Sequence, residues 1–345
     1  MPSVQVEEIG PLSRLNGHSQ TWSENLVNCG EDPIFLGMDW LQACWESFGE
    51  GRRPLLLRAV EGGRTVGFAP LTLSSRGRVK WTKLEFMGAG PSDRCGIIAE
   101  GCREDIHRAF WEHLRERDDW DVVELRDMAQ GGPTENVVQS LFPGGDQVMV
   151  PSPFVTLFPT HEEYEASLSK NMRSNIRKGV NKMNAMGATF RAMRTPEEVA
   201  EGMGWLKTLS DIRWDGMGVL SDPRMMAFVR RITRALAGRG VVFHSLEVKN
   251  EPVAIAMGLE DRDRYLYYLA GFNPELAKAS PGVVLLMNII KEAHEMGKRE
   301  VDLLRGEEAY KYRFNAVDRP HLHFRTVNRG LLRKTQYSIR EAPLA

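Results

Sequence analysis

The chain has 345 residues, 42% hydrophobic and 26% charged, which suits two ordinary domains with real cores better than one. A formal net charge of −1 excludes a global field that would draw in nucleic acid or an anionic membrane and leaves only local patches. The N-terminal stretch has neither a basic start nor an apolar run, and the longest apolar runs fall far short of a bilayer, so a cytoplasmic protein without a membrane span is expected.

Residues 33–49 predict a helix, because Trp40, Leu41, Cys44, Trp45 and Phe48 fall on one face. Strands at 54–60 and 65–73 flank Glu61-Gly62-Gly63-Arg64, a hairpin signal. A strand at 84–87, a helix at 104–117 and a strand at 121–125 follow. The second half repeats this order. Helices are predicted at 196–214 and 223–237, then a hairpin of 241–248 and 253–259 around Lys249-Asn250-Glu251-Pro252. An alternating strand at 264–270, a helix at 282–296 and strands at 301–304 and 321–327 complete it. Val122-Val123-Glu124-Leu125-Arg126 matches Val301-Asp302-Leu303-Leu304-Arg305 in pattern, so a duplicated α/β unit is expected. The Pro/Gly-rich stretch ending near Pro151 sets its halves at 1–150 and 151–345. Cys29, Cys44, Cys95 and Cys102 form no C-x-x-C pair, and reduced thiols are expected.

The chemistry concentrates in 265–314. The strand breaks at Gly271-Phe272-Asn273-Pro274, and Ser280-Pro281-Gly282 then opens a helix. Ser at the cap and Pro at the first helical position are start signals. Gly282 lets a ligand approach first-turn amides, which lack intrahelical acceptors and lie at the positive end of the dipole. Lys278 adds charge just before. A well-capped helix without a ligand reads the same way. The P-loop and the G-x-G-x-x-G fingerprint are both absent. The next strand runs into Arg305-Gly306-Glu307-Glu308 and a Tyr310-Lys311 turn, which puts polar groups at the end of an α/β strand where ligands bind.

The strand ending in Ala270-Gly271-Phe272, the Ser280-Pro281-Gly282 helix start and the run 301–314 together resemble the second GNAT domain of tandem, FemAB-like proteins of the CelD (cellulose biosynthesis protein CelD) type. The run 168–178 resembles the basic helix that opens that domain. The Trp-rich helix, the Glu61-Gly62-Gly63-Arg64 hairpin and the stretch 88–93 resemble a degenerate first GNAT domain. The resemblance spans residues 30–330 and implies an α/β (α+β) tandem GNAT-like acyl-CoA N-acyltransferase fold, with two mixed sheets each flanked by helices.

The same resemblance implies an acyl-CoA donor, acetyl or longer, bound in the second unit. Leu269, Ala270 and Gly271 would line the pantetheine arm, and Lys278, Ala279, Ser280 and Gly282 would meet the pyrophosphate. The family's usual Arg/Gln-x-x-Gly-x-Gly/Ala loop differs in spacing here. The implied reaction is direct attack by an amine or hydroxyl of a sugar, polysaccharide precursor or related small molecule on the thioester, without a metal. Tyr310 is the candidate acid and Asp302 the candidate base; a packing aromatic and an ion-pair partner are the plain alternatives. Arg173, Arg177, Trp214, Tyr268 and Lys311 are candidate substrate contacts, against a solvated basic face, core aromatics and a surface lysine. Glu307 and Glu308 read as helix N-terminal acids, and His321 and His323 as surface histidines rather than zinc ligands. Two other readings stand beside this one. A FemAB-like transferase would take aminoacyl-tRNA to a cell-wall precursor, though no long charged helical hairpin is seen. A GNAT-like scaffold in exopolysaccharide assembly would catalyse nothing. Nucleic acid is expected only in the tRNA reading.

Overall fold

The computed structural model describes residues 3–10, 15, 17–29, 32–76 and 81–328. The elements begin with β1 (Gln5–Glu8), α1 (Ser19–Val27), α2 (Met38–Phe48), β2 (Arg52–Glu61), β3 (Arg64–Arg76), β4 (Trp81–Phe86) and β5 (Ile98–Ala99). Then come α3 (Glu104–Glu116), β6 (Val122–Ala129), α4 (Pro133–Leu141), β7 (Asp146–Val150), β8 (Pro153–Thr156), α5 (His161–Ser167), α6 (Lys170–Ala185) and β9 (Thr189–Met193). The rest are α7 (Pro196–Trp214), α8 (Pro223–Leu236), β10 (Val241–Val248), β11 (Glu251–Glu260), β12 (Arg264–Phe272), α9 (Pro281–Glu295), β13 (Glu300–Asp302), α10 (Ala309–Tyr312), β14 (Val317–Asp318) and β15 (His321–Val327).

The chain divides into two compact units. One runs to Val150 and resumes at Pro320; the other is Pro151–Arg319. The first unit's sheet has the order β1-β2-β3-β4-β6-β15-β7, with β5 beside β3. Leu55, Leu57, Leu84 and Val123 face Phe110 and Trp111 of α3, while Leu56 and Phe68 on the opposite face meet Trp22 and Leu41 of α1 and α2. Burial on both faces explains why Leu55, Leu56 and Leu57 are a continuous apolar run. The β2–β3 turn puts Gly62 and Gly63 at φ 57° and 80°, the left-handed pair a two-residue hairpin needs.

The second sheet has the order β14-β8-β13-β12-β11-β10-β9. Ala254, Ala256 and Tyr265 pack under α6 and α9 through Ile176, Val284 and Ile289. The other face lies on α7, so close at Gly202 that an added Cβ would stand 2.6 Å from the Phe243 ring. A Thr195–Glu198 capping box starts α7, each side chain bonding the other's backbone amide.

Both units share one plan: an antiparallel three-strand meander (β2-β3-β4 and β10-β11-β12), a helix-bearing crossover, then a strand parallel to the last (β6 and β13). The 321–327 strand falls elsewhere than the 151–345 half expected for it. It pairs antiparallel with both β6 and β7 of the first sheet, where Leu322 and Phe324 join the core. Such pairing links residues 201 positions apart (Arg325 with Glu124), and local sequence carries no sign of it.

Candidate functional site

β12 and β13 pair in parallel only from Arg264–Glu300 to Leu266–Asp302. Beyond Leu266, β12 keeps its antiparallel neighbour β11, while β13 leaves. Leu303 donates its amide to the Pro153 carbonyl at 2.9 Å, and Leu304 turns to φ 59°. The result is a wedge with one edge of β12, from Tyr267 onward, unpaired by any strand among the described residues. A β-bulge falls in the same stretch. Gly258 opposes Tyr267 and Met257 opposes Leu269, so Tyr268 is the extra residue. Bulges re-aim side chains and backbone groups. Leu269 and Ala270, expected along a pantetheine arm, follow directly and are half-buried. Gly271 is packed against α7: a Cβ there would stand 3.1 Å from that of Leu209.

Asp302 ends β13 and is 0% exposed. One carboxylate oxygen accepts the Leu304 amide at 2.9 Å, and the other faces Arg319 at 3.3 Å. These bonds make Asp302 the clamp that holds the left-handed turn. Lys311 is likewise held. It is 3% exposed, and its ammonium donates to the carbonyls of Leu304, Arg305 and Gly306 at 3.1, 2.8 and 3.3 Å and pairs with Glu308 at 2.9 Å. An ammonium has three protons, and these four acceptors share them. Lys311 therefore ties the strand-end loop together and does not reach out to a substrate anion.

Tyr310 stands on α10 beside Tyr267 and packs on the second core, as does Ala270. Burial chiefly, with the Glu308 charge adding and Arg213 opposing, pushes its phenol up to about 12. The group is a neutral donor at any ordinary pH, and its hydroxyl makes no hydrogen bond among the described residues.

After β12, Asn273 caps a tight helical turn (Pro274–Ala279), and Ser280 heads α9 in the left-handed conformation, φ 53°. The Ser280 carbonyl accepts the amides of Val283 and Val284 at 3.0 and 3.1 Å. Contrary to the sequence pattern, its hydroxyl caps nothing. A strained non-glycine residue with an idle hydroxyl at a helix start fits a ligand contact. Gly282 is open: a Cβ there would meet only Phe272, at an ordinary 3.6 Å.

The basic helix α6 flanks this loop. At Gly179 an added Cβ would stand 3.1 Å from the Ala279 carbonyl, and Lys182 donates to the Lys278 carbonyl at 2.6 Å. Arg177, Lys178 and Lys278 are exposed and have no ion-pair partner among the described residues. Arg173 is turned back, donating to the carbonyls of Ala166 and Leu168 at 2.7 and 2.6 Å, so it serves the α5–α6 junction.

Sequence reasoning missed Arg213. Its guanidinium lies 4.7 Å from the Trp214 ring and 4.6 Å from that of Phe272 at the end of β12. It also opposes the rise of the Tyr267 and Tyr310 phenols. No carboxylate pairs with it among the described residues. A cation between aromatic faces, beside the wedge, is placed to receive an anionic group. Its neighbour Trp214 was a candidate, and an Arg-Trp pair closing a long helix was the available signal.

The first unit opens in the same place but is filled by its own chain. β4 pairs with β6 only at Lys83–Val122 and Leu84–Val123. Beyond them, Cys95 donates to the Asp127 carbonyl at 2.9 Å. Trp40 donates to Ser92 at 2.8 Å, and Asp32 holds Arg94 at 2.9 Å, pinning the 88–97 stretch where a donor would lie. His321 and His323 are buried in the first sheet rather than on the surface, and His323 lies 3.2 Å from Asp127. Among the described residues, no group of three or more His, Cys, Asp or Glu is arranged to hold a metal, and no helix is long and apolar enough to cross a membrane.

This geometry agrees with the comparisons. Residues 170–312 match the family described as Acetyltransferase (GNAT) domain. No curated protein matches the chain. Among solved structures it is similar to FemX, with a TM-score of 0.66 and 10% identity over 94% of this chain and 98% of that one. It is also similar to L-PGS from Bacillus licheniformis, with a TM-score of 0.57 and 12% identity over 97% of each chain. A third is a tandem GNAT protein from the clavulanic acid biosynthesis pathway, solved without AcCoA, with a TM-score of 0.54 and 11% identity over 95% and 99%. At these identities the likeness is one of fold: a tandem GNAT-like arrangement of two mixed sheets flanked by helices.

Proposed function

We propose that the second unit transfers an acyl group from acyl-CoA to an amine or hydroxyl of an acceptor that carries an anionic group. The observation that supports this most is the parting of β12 and β13 above Leu266, with the Ser280–Gly282 helix start at its open end. The open edge of β12 would run along the pantetheine arm, and the start of α9, with Lys278 and Lys178, would meet the phosphates. The acceptor's nitrogen or oxygen attacks the thioester carbonyl. The new C–N or C–O bond gives a tetrahedral oxyanion, which backbone amides of the open edge stabilise, and the attacking atom gives up its proton to solvent. Collapse breaks the C–S bond, Tyr310 donates a proton to the departing thiolate, and water returns one to Tyr310. Arg213 orients the acceptor through its anionic group.

A thermal-shift titration with acetyl-CoA and longer acyl-CoAs tests this reading. Ligand at about 100 times its Kd should stabilise the fold by roughly 2.7 kcal/mol. Gly282→Glu should fold normally, since its Cβ has room, yet abolish the shift by placing a carboxylate among the phosphates. No shift with any acyl-CoA, or an equal shift in the variant, would refute the assignment. The exposed cations on α6 support one second reading, an aminoacyl-tRNA donor, which would instead show strongly salt-dependent RNA binding.

A further inference from the structure

The last turn of α7 and the loop that follows it break the usual rule for a soluble surface. Ile212, Trp214, Met217 and Val219 are 49%, 50%, 83% and 52% exposed within eight residues of sequence. Soluble proteins scatter such residues singly. Asp215 and Gly216 carry the turn at φ 49° and 70°, so Met217 and Val219 follow a tight turn at the end of α7.

The loop runs directly into α8. That helix bears Arg224, Arg230, Arg231 and Arg234 and no acidic residue, with its apolar face buried through Phe228, Val229 and Ile232. Arg224 pairs with Asp222 at 2.9 Å, whereas Arg230 and Arg234 have no ion-pair partner among the described residues. Both rim a cleft of ≈ 660 Å³ whose wall includes Val199, Ala200, Met203 and Ala227. Exposed apolar residues at one end of a cationic helix are what a headgroup and acyl-chain boundary accommodates.

We propose that this surface, residues 212–221 with the outer face of α8, docks on a phospholipid bilayer carrying anionic headgroups. Charge complementarity favours that occupant, because the four arginines of α8 outnumber Asp215 and its N-cap Asp222 on this surface. RNA would use the same arginines but gives Met217 and Val219 nothing to do. Docking goes beyond the acyltransfer reading and does not depend on it; if both hold, the acceptor is met at a membrane surface.

Vesicle flotation tests the proposal with the whole chain. The protein should float with phosphatidylcholine vesicles containing phosphatidylglycerol, and much less with phosphatidylcholine alone or at high salt. Met217→Ser with Val219→Ser should lower binding about tenfold. Arg230→Gln with Arg234→Gln should lower it roughly fivefold for each arginine. Val27→Ser, at an 80% exposed site in the first unit, should change nothing. No flotation of the intact protein overturns the proposal, as does equal loss in Val27→Ser. A dimer that the loop variant abolishes, or RNA binding by the arginines without flotation, overturns it too. An acetyl-CoA thermal shift on the same variants reads the donor site separately, so failure of either reading is visible alone.

Discussion

The Arg213 guanidinium lies 4.6 Å from the Phe272 ring, which puts the last turn of α7 against the last residue of β12. This contact couples the wedge to a cation with no acidic partner among the described residues. Arg213→Met keeps the stem's packing and removes the charge. It should raise the acceptor KM at least about tenfold and leave the acetyl-CoA thermal shift intact. Arg213→Lys should restore only part of the loss, since a point charge replaces a planar fork that stacks on rings. Equal kinetics in Arg213→Met would remove the residue from acceptor recognition.

Tyr310→Phe removes the donor and keeps the ring. The expected result is a fall in kcat of about 10²-fold, the usual scale for one general acid, with donor affinity unchanged. Because burial chiefly pushes the phenol up to about 12, the wild-type rate should show no alkaline fall from this group below about pH 11. Thiol release from the acyl donor across the pH range reads both effects.

Tyr265 reaches His244 by crossing β11 at Gly258. The hydroxyl stands 3.0 Å from Nδ1 of His244, whose Nε2 meets Glu292 at 2.9 Å. A Cβ at Gly258 would stand 2.2 Å from that hydroxyl. Gly258→Ala should therefore displace the phenol and leave buried groups unpaired, at a cost of about 2–4 kcal/mol in denaturant unfolding. Tyr265→Phe, which loses only the bond, should cost about 1–2 kcal/mol. If Gly258→Ala is neutral, the crossing is not as tight as described.

In the first unit, burial lowers His107 to about 4 while its Nδ1 lies 2.9 Å from Thr134. A histidine whose folded pKa lies below its unfolded value takes up a proton more readily on unfolding. Its contribution is complete above about pH 6.5 and is lost progressively as pH falls toward 4. The loss should be about 3 kcal/mol in all. His107→Gln should flatten that part of the stability profile, as read by urea unfolding at stepped pH.

Much of this was legible before any coordinates. Helix α7 and strands β10 and β15 fall on their predicted spans because periodicity and turn residues are local signals. The duplicated meander and crossover were visible in the same way. The bonds that hold Lys311, Asp302 and Arg173 were not legible, because a sequence shows a charge but not where it points. Three loop carbonyls capture Lys311, and Arg319 with the Leu304 amide captures Asp302. Arg213 was missed for the converse reason: its setting is made by Phe272, 59 positions away, and pairing across elements leaves no local trace. The buried positions of His321 and His323 follow from strand β15 returning between β6 and β7, equally invisible to a local window.

The most direct test of the central claim is amide hydrogen exchange with and without saturating acetyl-CoA. Slowed exchange across 267–284, with 84–99 of the first unit unchanged, is the predicted result. Protection in 84–99 instead, or none in 267–284, would contradict a donor site at the parting of β12 and β13.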